Sequence, residues 1–327
     1  MSLDVVPTDD LEKARADCDR LRTQIAQVIV GQGAVIEEVM TALVVGGHLL
    51  VEAAPGMGKT LLVRTLADAL DVTFRRVQFT PDLMPADIIG TYVVMEAHGQ
   101  RRFEFQQGPV FTNLLLADEI NRATPKTQAA LLEAMGEGAV TVANETYELP
   151  EPFLAVATQG PGDAQGTFPL PETLLDRFLL KVEMPSPGEE QVELILDRTT
   201  TAELRVVERV LAAERLAEIS AVARKIRLPP EARRLAAELL AATRPDHPAA
   251  PESVKRYVQR GAGPRGAQAM VLAGKARALF AGRSDVGLDD IRAHAVAALG
   301  HRLVLNFEGH ADEACPAQII RDVLEMV

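Results

Sequence analysis

A lysine and a threonine set behind two glycines, directly after an apolar run, are the residues of this chain best suited to chemistry. The stretch Glu52-Ala-Ala-Pro-Gly-Met-Gly-Lys-Thr60 follows His48-Leu-Leu-Val51 and precedes Leu61-Leu-Val-Arg-Thr-Leu-Ala-Asp-Ala-Leu70, whose apolar residues recur at helical spacing. Strand, glycine-containing turn and helix start form the context a phosphate-binding loop needs. Such a turn aims backbone N–H groups at an anion, and the helix N-terminus adds the positive end of its dipole. Gly56 and Gly58 let the backbone curl closely around phosphate oxygens, Lys59 reaches the β- and γ-phosphates, and the Thr60 hydroxyl is a ligand for Mg²⁺. Pro55, Gly56, Met57, Gly58, Lys59, Thr60 and Leu61 are therefore the expected contacts of ATP. The usual loop begins with Gly where this chain has Ala53. A methyl group is tolerated there if the backbone angles stay negative.

A second constellation complements the first. Leu114-Leu-Leu-Ala-Asp118-Glu119 is an apolar run ending in two carboxylates. At the C-terminal end of a strand beside the loop, Asp118 can hold Mg²⁺ through water, and Glu119 can polarise the water that attacks the γ-phosphate.

Placing these groups requires a buried sheet. Strands are expected at about 48–52, 74–79, 113–118, 153–158 and 178–182, four of them near-continuous apolar runs typical of a buried parallel sheet. Helices fall between them, after amphipathic helices at 11–28 and 34–45 and before another at about 125–137. A hairpin pairs Tyr92-Val-Val-Met95 with Arg102-Phe-Glu-Phe105 across the turn 96–100, and a second spans Ala139 to Leu149. The pattern predicts a doubly wound α/β domain over residues 1–188. Beyond it, Ala- and Leu-rich segments at about 189–226, 230–244, 251–260, 265–281, 288–302 and 315–326 read as helices, with no convincing strand, giving an all-helical domain over 189–327.

Composition narrows the functional classes. The 327 residues are 47% hydrophobic and 24% charged, as in ordinary globular proteins. A net charge of −12, no Trp and only 4% aromatic residues argue against a nucleic-acid motor or a nucleobase-stacking surface. Cys18 and Cys315 have no metal-ligand spacing and read as unpaired thiols in a reducing cytosol. The N-terminus lacks the basic and apolar regions of a signal peptide, and the apolar run Val39 to Val51 is too short and too broken to span a bilayer. The expectation is a cytoplasmic protein. The six histidines show no ligand spacing and are given no metal role.

Several motifs together resemble those of MoxR-type AAA+ ATPases. They are Pro55-Gly-Met-Gly-Lys-Thr60, Gln78-Phe-Thr-Pro-Asp-Leu-Met-Pro-Ala-Asp-Ile-Ile-Gly90, the run from Gly108 through Asp118-Glu-Ile-Asn-Arg-Ala123, Lys126 to Met135, Thr167-Phe-Pro-Leu-Pro-Glu172, Leu175-Asp-Arg-Phe178, Gly263-Pro-Arg265 and Ala281-Gly-Arg283. The resemblance spans about residues 25–307. It implies the AAA+ fold, a five-stranded parallel αβα core followed by a smaller all-α lid. It also implies that Gly31 and Gln32 line the adenine pocket, and that Arg177 is an arginine finger for the γ-phosphate of a neighbouring subunit. Arg265 would be the second sensor, a lid arginine at an interdomain cleft that touches γ-phosphate. The hairpins would project near the central opening of a ring, with Arg101 and Arg102 on the first.

One departure bears on the rate. The resemblance places a water-orienting Asn after Ala-Thr-Gln, and this chain has Gly160 there, in Ala157-Thr-Gln-Gly-Pro161. A slow ATPase is expected, with Thr158 or Gln159 as candidate substitutes. The implied function is an ATP-hydrolysing chaperone in a homo-oligomeric ring, since a finger in trans requires subunits to meet around a closed ring, and the resemblance implies a hexamer. It would remodel, mature or activate partner complexes with a von Willebrand factor A domain protein. Two alternatives stand beside it: a specialised activase like those of rubisco or nitric oxide reductase, and a nucleotide-gated scaffold with little hydrolysis, which Ala53 and Gly160 favour.

Overall fold

The computed structural model describes residues 6–97, 100–160, 166–200 and 206–327. The tip of the first hairpin, with His98, and Pro161 lie outside the described residues. Two helices, α1 (Thr8–Val28) and α2 (Gly33–Val45), precede strand β1 (His48–Glu52) and helix α3 (Lys59–Ala69). Strands β2 (Phe74–Gln78), β3 (Leu114–Asp118), β4 (Leu154–Gln159) and β5 (Phe178–Glu183) complete a sheet of order β5-β1-β4-β3-β2. Every pairing in it is parallel.

The apolar runs are continuous because both faces of the sheet are covered. Leu49, Val51, Leu114, Leu116, Leu154 and Val156 face the core shared with α1, α2 and α3. Leu50, Leu115, Ala117, Ala155 and Ala157, one residue out of step, face the second core, which includes Leu131 and Ala134 of α4 (Ala130–Glu137). Period-two alternation sends neighbouring residues to opposite faces, so a strand buried on both sides has no polar positions to spare. Edge strand β2 differs: Arg75, Arg76 and Gln78 are exposed and Val77 is buried.

Both hairpins form, and the first is longer than its sequence pattern indicates, pairing Gly90–Ala97 with Gln100–Gln107. Its base is closed by Gly90 at φ 99°, where a Cβ would stand 2.3 Å from the Gln106 carbonyl oxygen. The second pairs Ala139–Val142 with Glu145–Glu148. Phe105 stacks on Tyr147 with ring centroids 4.2 Å apart, and the Tyr92 hydroxyl lies 2.7 Å from that of Tyr147. Both hydroxyls donate to Glu145, at 2.8 and 2.6 Å. The hairpins are thus clamped to each other.

The expected single helix at 125–137 is two, Pro125–Gln128 and α4. The helical reading of 189–226 is also corrected. Helix α5 (Glu189–Thr199) ends, Leu211–Ala212 pairs in parallel with Leu70–Asp71, and α6 (Ala213–Lys225) begins. A second two-stranded ladder joins Val258–Arg260 to Val304–Leu305. Ladders of two or three residues carry too little periodicity to be read from sequence. The remaining large helices are α7 (Pro230–Ala242), α8 (Pro264–Phe280), α9 (Leu288–Leu299) and α10 (Pro316–Met326). Helices α1 and α2 pack against α6 and α8, so one apolar cluster runs from a face of the sheet into the C-terminal helices. Among the described residues no helix is long and apolar enough to cross a membrane. Cys18 is buried, Cys315 is exposed, and both are free.

His48, at the start of β1, is a core histidine. Its Nδ1 accepts the Ala155 N–H at 3.0 Å, so the proton sits on Nε2, which donates to the Met135 carbonyl at 2.9 Å. Burial pulls its pKa from 6.5 to about 4, against the Met135 hydrogen bond, which raises it. The unfolded chain takes up this proton near pH 6.5 and the folded chain only near pH 4, so the contribution to stability is complete above 6.5 and lost as pH falls through 4. Melting temperature is expected to fall over that window, with up to about 3 kcal/mol from this group. In His48→Asn the acid slope is expected to be shallower than in wild type; equal slopes would assign the acid sensitivity elsewhere.

Candidate active site

The glycine-containing loop leaves the C-terminal end of β1 and enters α3. Gly56 and Gly58 both have φ 83°, a left-handed conformation that disfavours side chains, whereas Ala53 keeps a negative φ and its methyl group is accommodated. No side chain caps the start of α3 at Gly58, which leaves the N–H groups of its first turn available to an anion. Lys59 is buried, and its ammonium donates to the carbonyls of Ala53 at 2.7 Å and Gln159 at 3.2 Å. Burial lowers its pKa, opposed by the charges of Asp118, Glu119 and Glu52.

The parallel register of β1, β4 and β3 brings the second constellation to the same edge. Thr60 donates to Asp118 Oδ2 at 3.1 Å. A hydroxyl and a carboxylate are hard oxygen donors, so this pair fits Mg²⁺, which takes few protein ligands and keeps much of its water. Among the described residues no cluster of three or more His, Cys, Asp or Glu offers another metal site. Asp118 is almost fully buried, which pushes its carboxyl up. Hydrogen bonds from Thr158, Arg76 and Thr60 more than reverse this and hold it below the ordinary range.

Glu119 sits one residue past the strand in the left-handed region, at φ 55° and ψ 48°. That turns its carboxylate away from the line of β3. Oε2 accepts from Gln78 at 3.0 Å and from Arg122 at 3.2 Å. The backbone N–H of Glu119 donates to Thr158 Oγ1 at 2.9 Å, and the same hydroxyl donates to Asp118 Oδ1 at 2.6 Å. One buried threonine therefore pins both acidic residues. Gln159 is turned elsewhere, its amide donating to Glu52 at 2.6 Å beside the Lys181–Glu52 ion pair. Of the two candidate substitutes for the missing Asn, Thr158 touches the acidic pair and Gln159 does not. At Gly160 itself a Cβ would meet open space.

Gly31 and Gln32 line a cleft of about 1230 Å³, together with Gln159, Gly160, Lys181, His301 and Leu303. Gln32 donates to the Pro185 carbonyl at 3.0 Å, and its Oε1 is buried without a partner among the described residues. Arg177 is far from this centre. Strand β5 runs from Phe178, opposite His48, to Glu183, opposite Glu52, so Arg177 lies at the end remote from the loop. Five residues of parallel strand separate them by roughly 17 Å. Its guanidinium rests on Gly136 and makes no ion pair among the described residues. Arg265 joins it at that edge: it starts α8 and donates to Asp176 at 2.9 Å. Asp176 also accepts from buried Arg302 at 3.0 Å, which ties the C-terminal helices to the start of β5.

The structure thus gathers Lys59, Thr60, Asp118 and Glu119 at one edge and leaves Arg177 and Arg265 together at the other. Sequence reasoning missed Arg76, Gln78 and Asp176. For the first two a signal existed, since Arg76 and Gln78 alternate at the C-terminal end of a strand, where ligands of open α/β sheets bind.

The chain matches the ATPase family associated with various cellular activities (AAA) over residues 48–180 and the AAA lid domain over residues 251–323. It is 38% identical over 311 residues to Chaperone MoxR1 of Mycobacterium tuberculosis, covering 94% of this chain and 81% of that one. It is 38% identical over 304 residues to the uncharacterized protein YeaC of Bacillus subtilis, covering 93% and 92%. Protein MoxR of Methylorubrum extorquens is 32% identical, with 94% and 92% covered. A crystal structure of a presumed ATPase from Cytophaga hutchinsonii superposes with a TM-score of 0.89 at 36% identity, covering 98% of this chain and 96% of the other.

Two substitutions test the site. Thr158→Val removes both hydrogen bonds at nearly constant shape and is expected to lower turnover by about 10- to 100-fold, while Thr158→Ser keeps most of it; equal rates in the two would deny the hydroxyl this role. Gly160→Asn is expected to fold normally and hydrolyse ATP faster than wild type. An unchanged rate would clear Gly160 of slowing the enzyme.

Proposed function

Starting from the chain's membership of the MoxR family of AAA+ ATPases, we propose that it hydrolyses ATP with Mg²⁺ in a homo-oligomeric ring, a hexamer, and uses the cycle to remodel or activate a partner protein complex. The observation that carries this reading is the convergence of Lys59, Thr60, Asp118 and Glu119 at the phosphate loop. ATP phosphates lie against the N–H groups of α3, with Lys59 released from its carbonyl partners to the β- and γ-phosphates. Mg²⁺, when bound by Thr60 and by Asp118 through water, neutralises charge on the phosphates. Glu119 orients the attacking water and takes its proton, and Thr158 ties the Asp118 carboxylate to the Glu119 backbone.

Arg177 stands too far from its own loop to serve it. A permanently charged guanidinium, without an ion pair among the described residues, suits at that edge the γ-phosphate of a neighbour, stabilising charge as the bond to the leaving phosphate breaks. Arg265, at the same edge, is assigned to that junction as well. Clients are engaged through a separate von Willebrand factor A domain protein. A relative that carries the name chaperone supports the remodelling class, and the clamped hairpins offer a rigid arm for it. A specialised activase is the same machine with one client. Gly160 favours a second reading, a scaffold that holds ATP and barely hydrolyses it.

Turnover per subunit is expected to rise with protein concentration and to fall by at least about 100-fold in Glu119→Gln and Arg177→Ala. Mixing these two inactive variants is expected to recover part of the rate, because each supplies what its neighbour lacks. Tight ATP binding with no turnover at any concentration would favour the scaffold.

A further inference from the structure

Phosphate binding and hydrolysis do not account for Arg76. It stands on edge strand β2 in register with Leu116, two residues short of the strand's end. Its side chain crosses to β3 and gives both Nε and Nη2 to a single oxygen, Asp118 Oδ2, at 3.0 and 2.7 Å. The same oxygen accepts from Thr60, and Oδ1 is taken by Thr158. Arg76 is therefore the cation in direct contact with this buried carboxylate, with the Lys59 ammonium acting on it from further off, and it occupies the oxygen on the Thr60 side, where a metal ion would be held. The two partners differ in exposure: the Arg76 side chain is 48% exposed and that of Asp118 is 6%. The guanidinium can swing into water at little cost, whereas the carboxylate cannot stay buried without a positive partner.

The contact does not end at Asp118. Arg76 Nη2 also donates to Gln78 Oε1 at 2.7 Å, and Gln78 Nε2 donates to Glu119 Oε2 at 3.0 Å. A guanidinium has only donors, so it holds the Gln78 amide with its oxygen inward and its NH₂ toward Glu119. An unbroken chain of hydrogen bonds thus runs from the metal-binding carboxylate to the group that handles the attacking water.

We propose that Arg76 is an internal stand-in for Mg²⁺: it neutralises Asp118 while the metal is absent, yields Oδ2 when Mg²⁺ arrives, and by leaving frees Gln78 to release Glu119. This rests on Thr60 and Asp118 being the metal's ligands. Glu119 is then restrained in the metal-free protein and freed only when the cation that supports hydrolysis is in place.

The test is a Mg²⁺ titration of binding of a fluorescent, slowly hydrolysed ATP analogue to the full chain. Wild type, Arg76→Gln, Arg76→Lys and the control Arg75→Gln are compared. With its competitor gone, Arg76→Gln is expected to reach half-saturation at roughly 5- to 10-fold lower Mg²⁺. Arg76→Lys, which keeps the charge without the fork, falls between, and Arg75→Gln, one residue away, shifts by less than about 2-fold. Melting temperature gives a second readout. Arg76→Gln is expected to melt below wild type in EDTA and level with it once Mg²⁺ and the analogue are present. A deficit that persists with Mg²⁺ would make Arg76 an ordinary structural staple and overturn the proposal. So would an unshifted or raised half-saturation in Arg76→Gln, or equal shifts in the Arg75 and Arg76 glutamine variants. A wild type whose binding of the analogue ignores Mg²⁺ would overturn the metal-ligand reading and the proposal together.

Discussion

A charge buried at the end of a strand has to be compensated, and in this protein that charge is Asp118. Its partners come from three other elements: Thr60 from α3, Arg76 from β2 and Thr158 from β4. An unpaired carboxylate in that position would cost several kcal/mol. The loop, the edge strand and the neighbouring central strand are therefore held in one arrangement by the residue that needs them all. Glu119 inherits its geometry from this constraint, because the hydroxyl that satisfies Asp118 also receives the Glu119 N–H. The left-handed turn at Glu119 is unfavourable for a residue with a side chain and persists because both neighbours are fixed.

A second carboxylate organises the opposite edge. Asp176 takes Arg265 from the start of α8 and Arg302 from just beyond α9. Arg302 is buried and also donates to the backbone carbonyls of Phe178 and Leu179, closing off the start of β5. The segment bearing Arg177 is thereby coupled to the C-terminal helices rather than left as a free loop end. The two ends of one sheet thus carry complementary chemistry: carboxylate oxygens and backbone N–H groups at one, guanidinium groups at the other.

The five strands of the sheet and the loop were legible in the sequence because burial on both faces leaves long apolar runs, and because Gly56, Gly58, Lys59 and Thr60 have to be neighbours to do their work. The helical reading of 189–226 failed where Leu211–Ala212 pairs with Leu70–Asp71, a contact too short to leave a period. Gly160 drew attention as a missing side chain, whereas the structure turns it to Thr158, whose type and position say nothing until β3 and β4 are laid side by side. The Phe105–Tyr147 stack was likewise unreadable, since nothing in either hairpin specifies the other.

The sequence by itself determined the local chemistry: a phosphate-binding turn, an acidic pair after an apolar strand, and a core followed by helices. These depend on residues adjacent in the chain or repeating at a short period, so spacing alone carries them. Tertiary structure decided which charges meet. Arg76 reaches Asp118 across 42 residues of chain, and Arg265 reaches Asp176 across 89. Such pairings arise from strand order and register, and a buried carboxylate accepts whichever guanidinium the fold brings within reach.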